Sequence, residues 1–176
     1  MKWQQMIAEA YESMFQDIEK VLDGLSVDDL HKRPALGANP IGWLCWHCIR
    51  SCDRLLGDVV LGKQLWINAG WHRKFGRPPD PNDTGFGHSL ASVDALFIPS
   101  TKMLLDYANA VKVPFIAYMG KLTNQELNKE YPSSQAPGTT RPIYPRVNGI
   151  LSHNFQHIGE ANYVRGILKG HGWYGR

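Results

Sequence analysis

From the start of the chain, apolar residues recur at three- and four-residue steps: Met6, Ile7, Ala10, Met14, Ile18, Val21, Leu22 and Leu25. Glu9, Glu12, Gln16 and Glu19 fill the other faces, so the period predicts an amphipathic helix from about Trp3 to Leu22. In Leu25-Ser26-Val27-Asp28-Asp29-Leu30, Ser26 can cap a short helical turn whose first turn Asp29 favours. A loop from His31 to Ala38 follows. Asn39-Pro40 then opens a second helix, with Asn39 expected at the N-cap and Pro40 at the first helical position, where its missing N–H costs nothing. This helix should reach about Leu61, with Ile41, Leu44, Cys45, Cys48, Cys52, Leu55, Leu56 and Val59 as its apolar seam.

Between Gly62 and Ser89 the pattern weakens. A short helix is expected within Lys63 to Lys74, around Trp66 and Trp71, followed by a connection rich in Pro and Gly. Such a length suits a crossover that carries the chain to a distant end of the domain. A third long helix is predicted from about Pro99 to Met119, after a shorter turn from Ser89, and Pro114 should kink or divide it. Thr123 and Glu126 form a capping box that repeats the shape of Leu25–Leu30 and hints at two helix pairs. Tyr131 to Arg141 reads as a loop. The last helix should run from about Ile143 to Leu168 and stop at Gly170. No segment alternates with period two. The sum is an all-α four-helix bundle, one domain over residues 1–176, with a long crossover between its second and third long helices.

Composition narrows the classes. Of the 176 residues 43% are hydrophobic and 20% charged, which is globular rather than disordered. No apolar run is long enough to span a membrane, and the start is polar and amphipathic rather than a signal peptide, so a cytoplasmic protein is expected. The net charge is +3 and scattered; His72-Arg73-Lys74 with Arg77 is the one local cluster and reads as a solvated loop, which argues against a nucleic-acid partner. Three cysteines, Cys45, Cys48 and Cys52, cannot build a disulfide framework and fit a reducing compartment.

Of seven histidines (His31, His47, His72, His88, His153, His157 and His171), His153 and His157 stand four apart on the last predicted helix. That spacing places two imidazoles on one face, one turn apart, where they can share a metal ion. An exposed pair, or a histidine hydrogen-bonded in the core, would have the same spacing. On the helix wheel Val147, Ile150, Leu151, Phe155 and Ile158 form one apolar stripe, and His153, His157, Glu160 and Val164 form a second beside it. Two imidazoles are too few for tight binding. His47 is the best third candidate, although a mid-helix histidine among Trp43, Leu44 and Trp46 also reads as a core residue. Cys48 and Cys52 are potential soft ligands, but their place in the seam favours packing. Glu160 could complete the ligand set, orient an imidazole or carry a proton. Arg50 and Asp53, near His47, receive no role from sequence alone.

The chain resembles the DinB-like superfamily. The resemblance is carried by Asn39-Pro40-Ile41-Gly42-Trp43-Leu44-Cys45-Trp46-His47 and by His153-Asn154-Phe155-Gln156-His157-Ile158-Gly159-Glu160. Asp83-Thr84-Gly85-Phe86-Gly87-His88, the Trp66–Gly76 stretch and the ending Tyr163-Val164-Arg165-Gly166 resemble it as well. The resemblance implies a four-helix bundle, commonly a homodimer, in which His47, His153 and His157 hold a divalent metal. Zinc is the first expectation, and nickel, iron and manganese are alternatives. It further implies a small-molecule substrate and a thiol-dependent S-transferase or isomerase with a low-molecular-weight thiol as co-substrate, with Glu160 as the catalytic candidate. A metal-dependent hydrolase or a non-catalytic binding bundle would carry the same residues.

Overall fold

The computed structural model describes residues 2–132, 138–170 and 172–173. In chain order the helices are α1 (Trp3–Leu22), α2 (Val27–His31), α3 (Ile41–Leu56), α4 (Leu65–Asn68), α5 (Trp71–Lys74) and α6 (Leu90–Asp94). They continue with α7 (Thr101–Met119), α8 (Asn124–Leu127) and α9 (Tyr144–Lys169). The four long helices α1, α3, α7 and α9 make the bundle. Each of α1 and α3 packs against both α7 and α9. Among the described residues no helix is long and apolar enough to cross a membrane.

The long helices follow the hydrophobic period, and their short neighbours follow the caps. Ser26 accepts from the Asp29 N–H while the Asp29 carboxylate accepts from the Ser26 N–H, and Thr123 with Glu126 repeats the arrangement at α8. Each box satisfies two backbone donors that a helix start leaves unpaired.

Several expectations shift. Asn39 does not cap α3; the N-cap is Pro40, extended at ψ 158°, whose carbonyl accepts the Leu44 N–H at 3.1 Å. Pro40 needs no N–H partner at that position either, so the start moves by one residue without cost. Beyond Leu56 the helix reaches Leu61 through a π turn, Gly57–Leu61. Gly57 is needed there, because a Cβ would lie 2.7 Å from the Gln64 backbone nitrogen. Pro114 sits inside α7, which remains one continuous helix. The segment expected as a loop over 131–141 is flanked by short antiparallel strands, β1 (Glu130–Pro132) and β2 (Thr140–Pro142); its middle lies outside the described residues. Three-residue strands are too short to register as alternation. In α9 the buried positions are Val147, Asn154, Ile158, Ala161 and Val164, whereas Phe155 is exposed. The inward face is therefore centred on Asn154, a polar residue that hydropathy alone sends outward.

The crossover between α3 and α7 covers the side of α3 that bears Trp46 and Arg50, and α3 is buried almost all round. Arg50 and Asp53 are both fully buried, 3.1 Å apart. Asp53 accepts the N–H groups of Leu65 and Trp66 at 2.7 Å each, capping α4 from another helix, and accepts the Tyr107 hydroxyl at 2.6 Å. Arg50 donates to Gln64 and to the Asp83 and Pro81 carbonyls, with its guanidinium over the Trp66 ring at 4.6 Å. A buried pair of this kind is costly to break from one side, because the remaining charge has no solvent. Asp53→Ala is expected to lower the unfolding free energy by about 3–5 kcal/mol in urea denaturation. A loss under about 1 kcal/mol would mean that the carboxylate does not anchor the crossover.

Candidate metal centre

Helix α3 presents His47 one turn before Arg50, and α9 presents His153 and His157 from a face bordering the core. Because α3 and α9 are packed neighbours, the three rings converge. One nitrogen from each ring lies within 4.8 Å of the other two. His153 Nε2 is 3.3 Å from His47 Nε2 and 3.1 Å from His157 Nε2. Nitrogens bound 2.0–2.1 Å from one ion stand about 3.3–3.4 Å apart in tetrahedral geometry and about 2.9 Å apart at right angles. The observed separations fall in that span.

The opposite edge of each ring explains why the nitrogens face inward. His47 Nδ1 donates to the Thr84 backbone carbonyl. His153 Nδ1 donates to Asn154 Oδ1 at 3.2 Å, and His157 Nδ1 donates to Glu160 Oε2 at 2.7 Å. The Asn154 amide is oriented by its own Nδ2, which donates to the Cys48 carbonyl at 3.2 Å. All three partners of Nδ1 are acceptors. In its neutral form an imidazole carries one ring proton, and with that proton on Nδ1 each Nε2 offers a bare lone pair to the shared space. Three mutually facing lone pairs repel unless a cation lies between them. The donor set is thus chemically suited to a divalent ion, in the manner of metal-binding histidines oriented by a second acceptor.

Electrostatics point the same way. Burial, reinforced by the neighbouring His153 and His157, brings the His47 pKa down to about 4 against the opposing effect of the hydrogen bond that His47 donates to the Thr84 carbonyl. Burial also lowers His153. Both shifts favour the neutral form of the ring, the form that can bind a metal. His47 is 5% exposed, while His153 and His157 are half-buried, so the centre is closed on the α3 side and accessible from α9. Trp43 stacks on His47 with ring centroids 4.8 Å apart and meets His157 edge-on at 6.2 Å, forming an apolar wall.

The remaining candidates separate from this group. Cys45, Cys48 and Cys52 are buried free thiols; burial pushes Cys45 and Cys52 up to about 12 and Cys48 well above its ordinary value. They pack in the seam as small hydrophobes. His31 bridges the Val27 carbonyl and the Ile98 N–H, His72 binds the Trp66 carbonyl, and His88 lies between Trp43 and Asp83. His171 lies outside the described residues. In the basic cluster, Arg77 is paired with Asp83 and Lys74 sits over the Trp71 ring. Thr84 and Asn154 are the partners that sequence reasoning missed. Thr84 acts through its backbone, which no residue type reveals. Asn154 at an inward position beside His153 was the available signal.

A DinB superfamily profile matches residues 10–161. The chain belongs to the DinB superfamily. Solved structures agree with the DinB fold. A conserved protein from Enterococcus faecalis superposes with a TM-score of 0.82 at 22% identity, covering 97% of this chain and 99% of that one. A DinB-like protein from Bacillus cereus superposes with a TM-score of 0.58 at 17% identity, covering 90% and 87%. No curated protein matches.

Replacing His47, His153 or His157 individually with Ala is expected to remove most bound divalent metal, measured by elemental analysis after loading and desalting. Full occupancy in any one variant would remove that residue from the centre. Cys48→Ala should keep the metal, and loss of metal there would return the thiol to the ligand set.

Proposed function

We propose that this DinB superfamily member is a divalent-metal-dependent enzyme that brings a small-molecule substrate and a low-molecular-weight thiol together at His47, His153 and His157. The observation that carries the reading is the convergence of three Nε2 lone pairs at a place open on one side. Structural zinc sites usually close the fourth position with protein, whereas catalytic ones leave it open to water or substrate. A divalent ion held there supplies Lewis acidity that makes a thiol or water nucleophilic near neutral pH. The preference for a thiol comes from the family resemblance, with zinc as the first choice of metal.

The chain's own groups supply the rest. The Trp43 ring gives an apolar wall beside His157. The Glu160 carboxylate is largely solvent-accessible while bound to His157 Nδ1. From that position it holds the ring in its metal-binding tautomer and can take up a proton released near the centre.

The test combines metal-loaded protein with glutathione, mycothiol or bacillithiol and a chromogenic electrophile such as 1-chloro-2,4-dinitrobenzene. Metal-dependent thioether formation with at least one thiol, abolished in His47→Ala, is expected. No metal-dependent product with any of the three would overturn S-transfer. In the same assay Glu160→Gln should lower turnover about 10–100-fold while metal content changes little. Unchanged turnover would remove Glu160 from the chemistry.

A further inference from the structure

Helix α3 fixes the backbone of His47, but the direction of its ring depends on the Thr84 carbonyl, which belongs to a stretch without regular secondary structure between α5 and α6. A carbonyl on such a stretch can orient a ligand only if the stretch is itself held. The fastening is unusually dense. Arg50 donates through Nε to the Asp83 carbonyl at 3.0 Å. The Asp83 carboxylate, 8% exposed, accepts Arg77 Nε at 2.8 Å and Arg77 Nη2 at 3.1 Å, a two-pronged grip, and also accepts His88 Nε2 at 3.1 Å. His88 Nδ1 in turn accepts Trp43 Nε1–H at 3.2 Å, and Trp43 is the ring stacked on His47.

These contacts close a circuit: His47 to Thr84, along the chain to Asp83, across to His88, then Trp43, and back to His47. Gly85 seals it. Its φ is +93°, and a Cβ there would lie 2.7 Å from His47 Nδ1 and 2.9 Å from the Trp43 ring, so the loop runs flush against the ligand. The carboxylate of Asp83 touches neither the metal-facing nitrogens nor the open side of the centre. A buried ion pair is by itself poor evidence for stability, and an apolar substitute often serves as well. What an apolar substitute could not do is hold Arg77 and His88 together on the residue preceding Thr84.

We propose that Asp83 is a positioning residue for the metal centre: through the Arg77–His88 grip it holds the Thr84 carbonyl on His47 Nδ1, and thereby sets how tightly the three histidines take up a cation. The inference rests on the three-histidine reading above. Asp83→Asn keeps the shape and removes the charge. Cobalt(II) titration of this variant is expected to show about tenfold weaker binding than wild type, with altered visible bands from a displaced ligand. In the metal-free protein, 15N NMR of the His47 ring should change from a single Nδ1–H tautomer to a mixture.

Trp43→Phe provides an independent variant that keeps the stack and removes the bond to His88; it should shift affinity and tautomer the same way by a smaller factor. Binding within twofold of wild type in both variants, or an unaltered tautomer in both, would overturn the proposal. So would weaker binding with the tautomer unaltered, which is what a merely structural role predicts. If wild type takes up no cation, the three-histidine reading fails, while the His47 tautomer in the metal-free variants still decides the role of Asp83.

Discussion

Three imidazole lone pairs point at one another in this bundle, and most of what surrounds them exists to make that orientation stable. Each ring gives its Nδ1 proton to an acceptor that cannot give one back: a carbonyl, an amide oxygen and a carboxylate. With that edge occupied, Nε2 has only the other two rings for company. The arrangement is unfavourable for empty neutral histidines and favourable around a divalent ion, which is why the geometry is read as a ligand set and not as a satisfied core cluster.

The three acceptors come from two parts of the structure, Asn154 and Glu160 from α9 and Thr84 from the crossover. Glu160 comes from the same helix as His157, one turn on, and depends on helical spacing alone. Asn154 is fully buried between α3 and α9, so the side chain that aims His153 also ties the two helices together through the Cys48 carbonyl. Thr84 comes from the crossover, which Arg50 and Asp53 fasten to α3, α4 and α7 through fully buried charge. Orientation of His47 and attachment of the crossover are therefore one problem, because Arg50 holds the Asp83 carbonyl next to Thr84.

That division explains what could be read from the sequence. The four long helices and both capping boxes depend on periodicity and on residues three positions apart, and they appear where those patterns put them. His153, His157 and Glu160 share one helix and are legible by the same arithmetic; His47 stands beside the seam of its own helix, and the resemblance places it with the other two. Phe155, which hydropathy places in the apolar stripe, is exposed, and the buried position beside it belongs to Asn154, where a hydrogen bond is needed. Arg50, Asp53 and Thr84 work through partners far along the chain or through the backbone, and local pattern carries no trace of either. The short strands flanking residues 133–137 offer three residues each, too few for alternation to stand out.

The most direct measurement is X-ray absorption on metal-loaded protein, with stoichiometry determined on the same sample. One ion per chain, with imidazole nitrogen scattering at about 2.0–2.1 Å and no sulfur at about 2.3 Å, is the predicted result. Sulfur in the first coordination sphere would move the centre toward the cysteines of α3, and failure to retain an ion would leave the inward-facing histidines without a purpose.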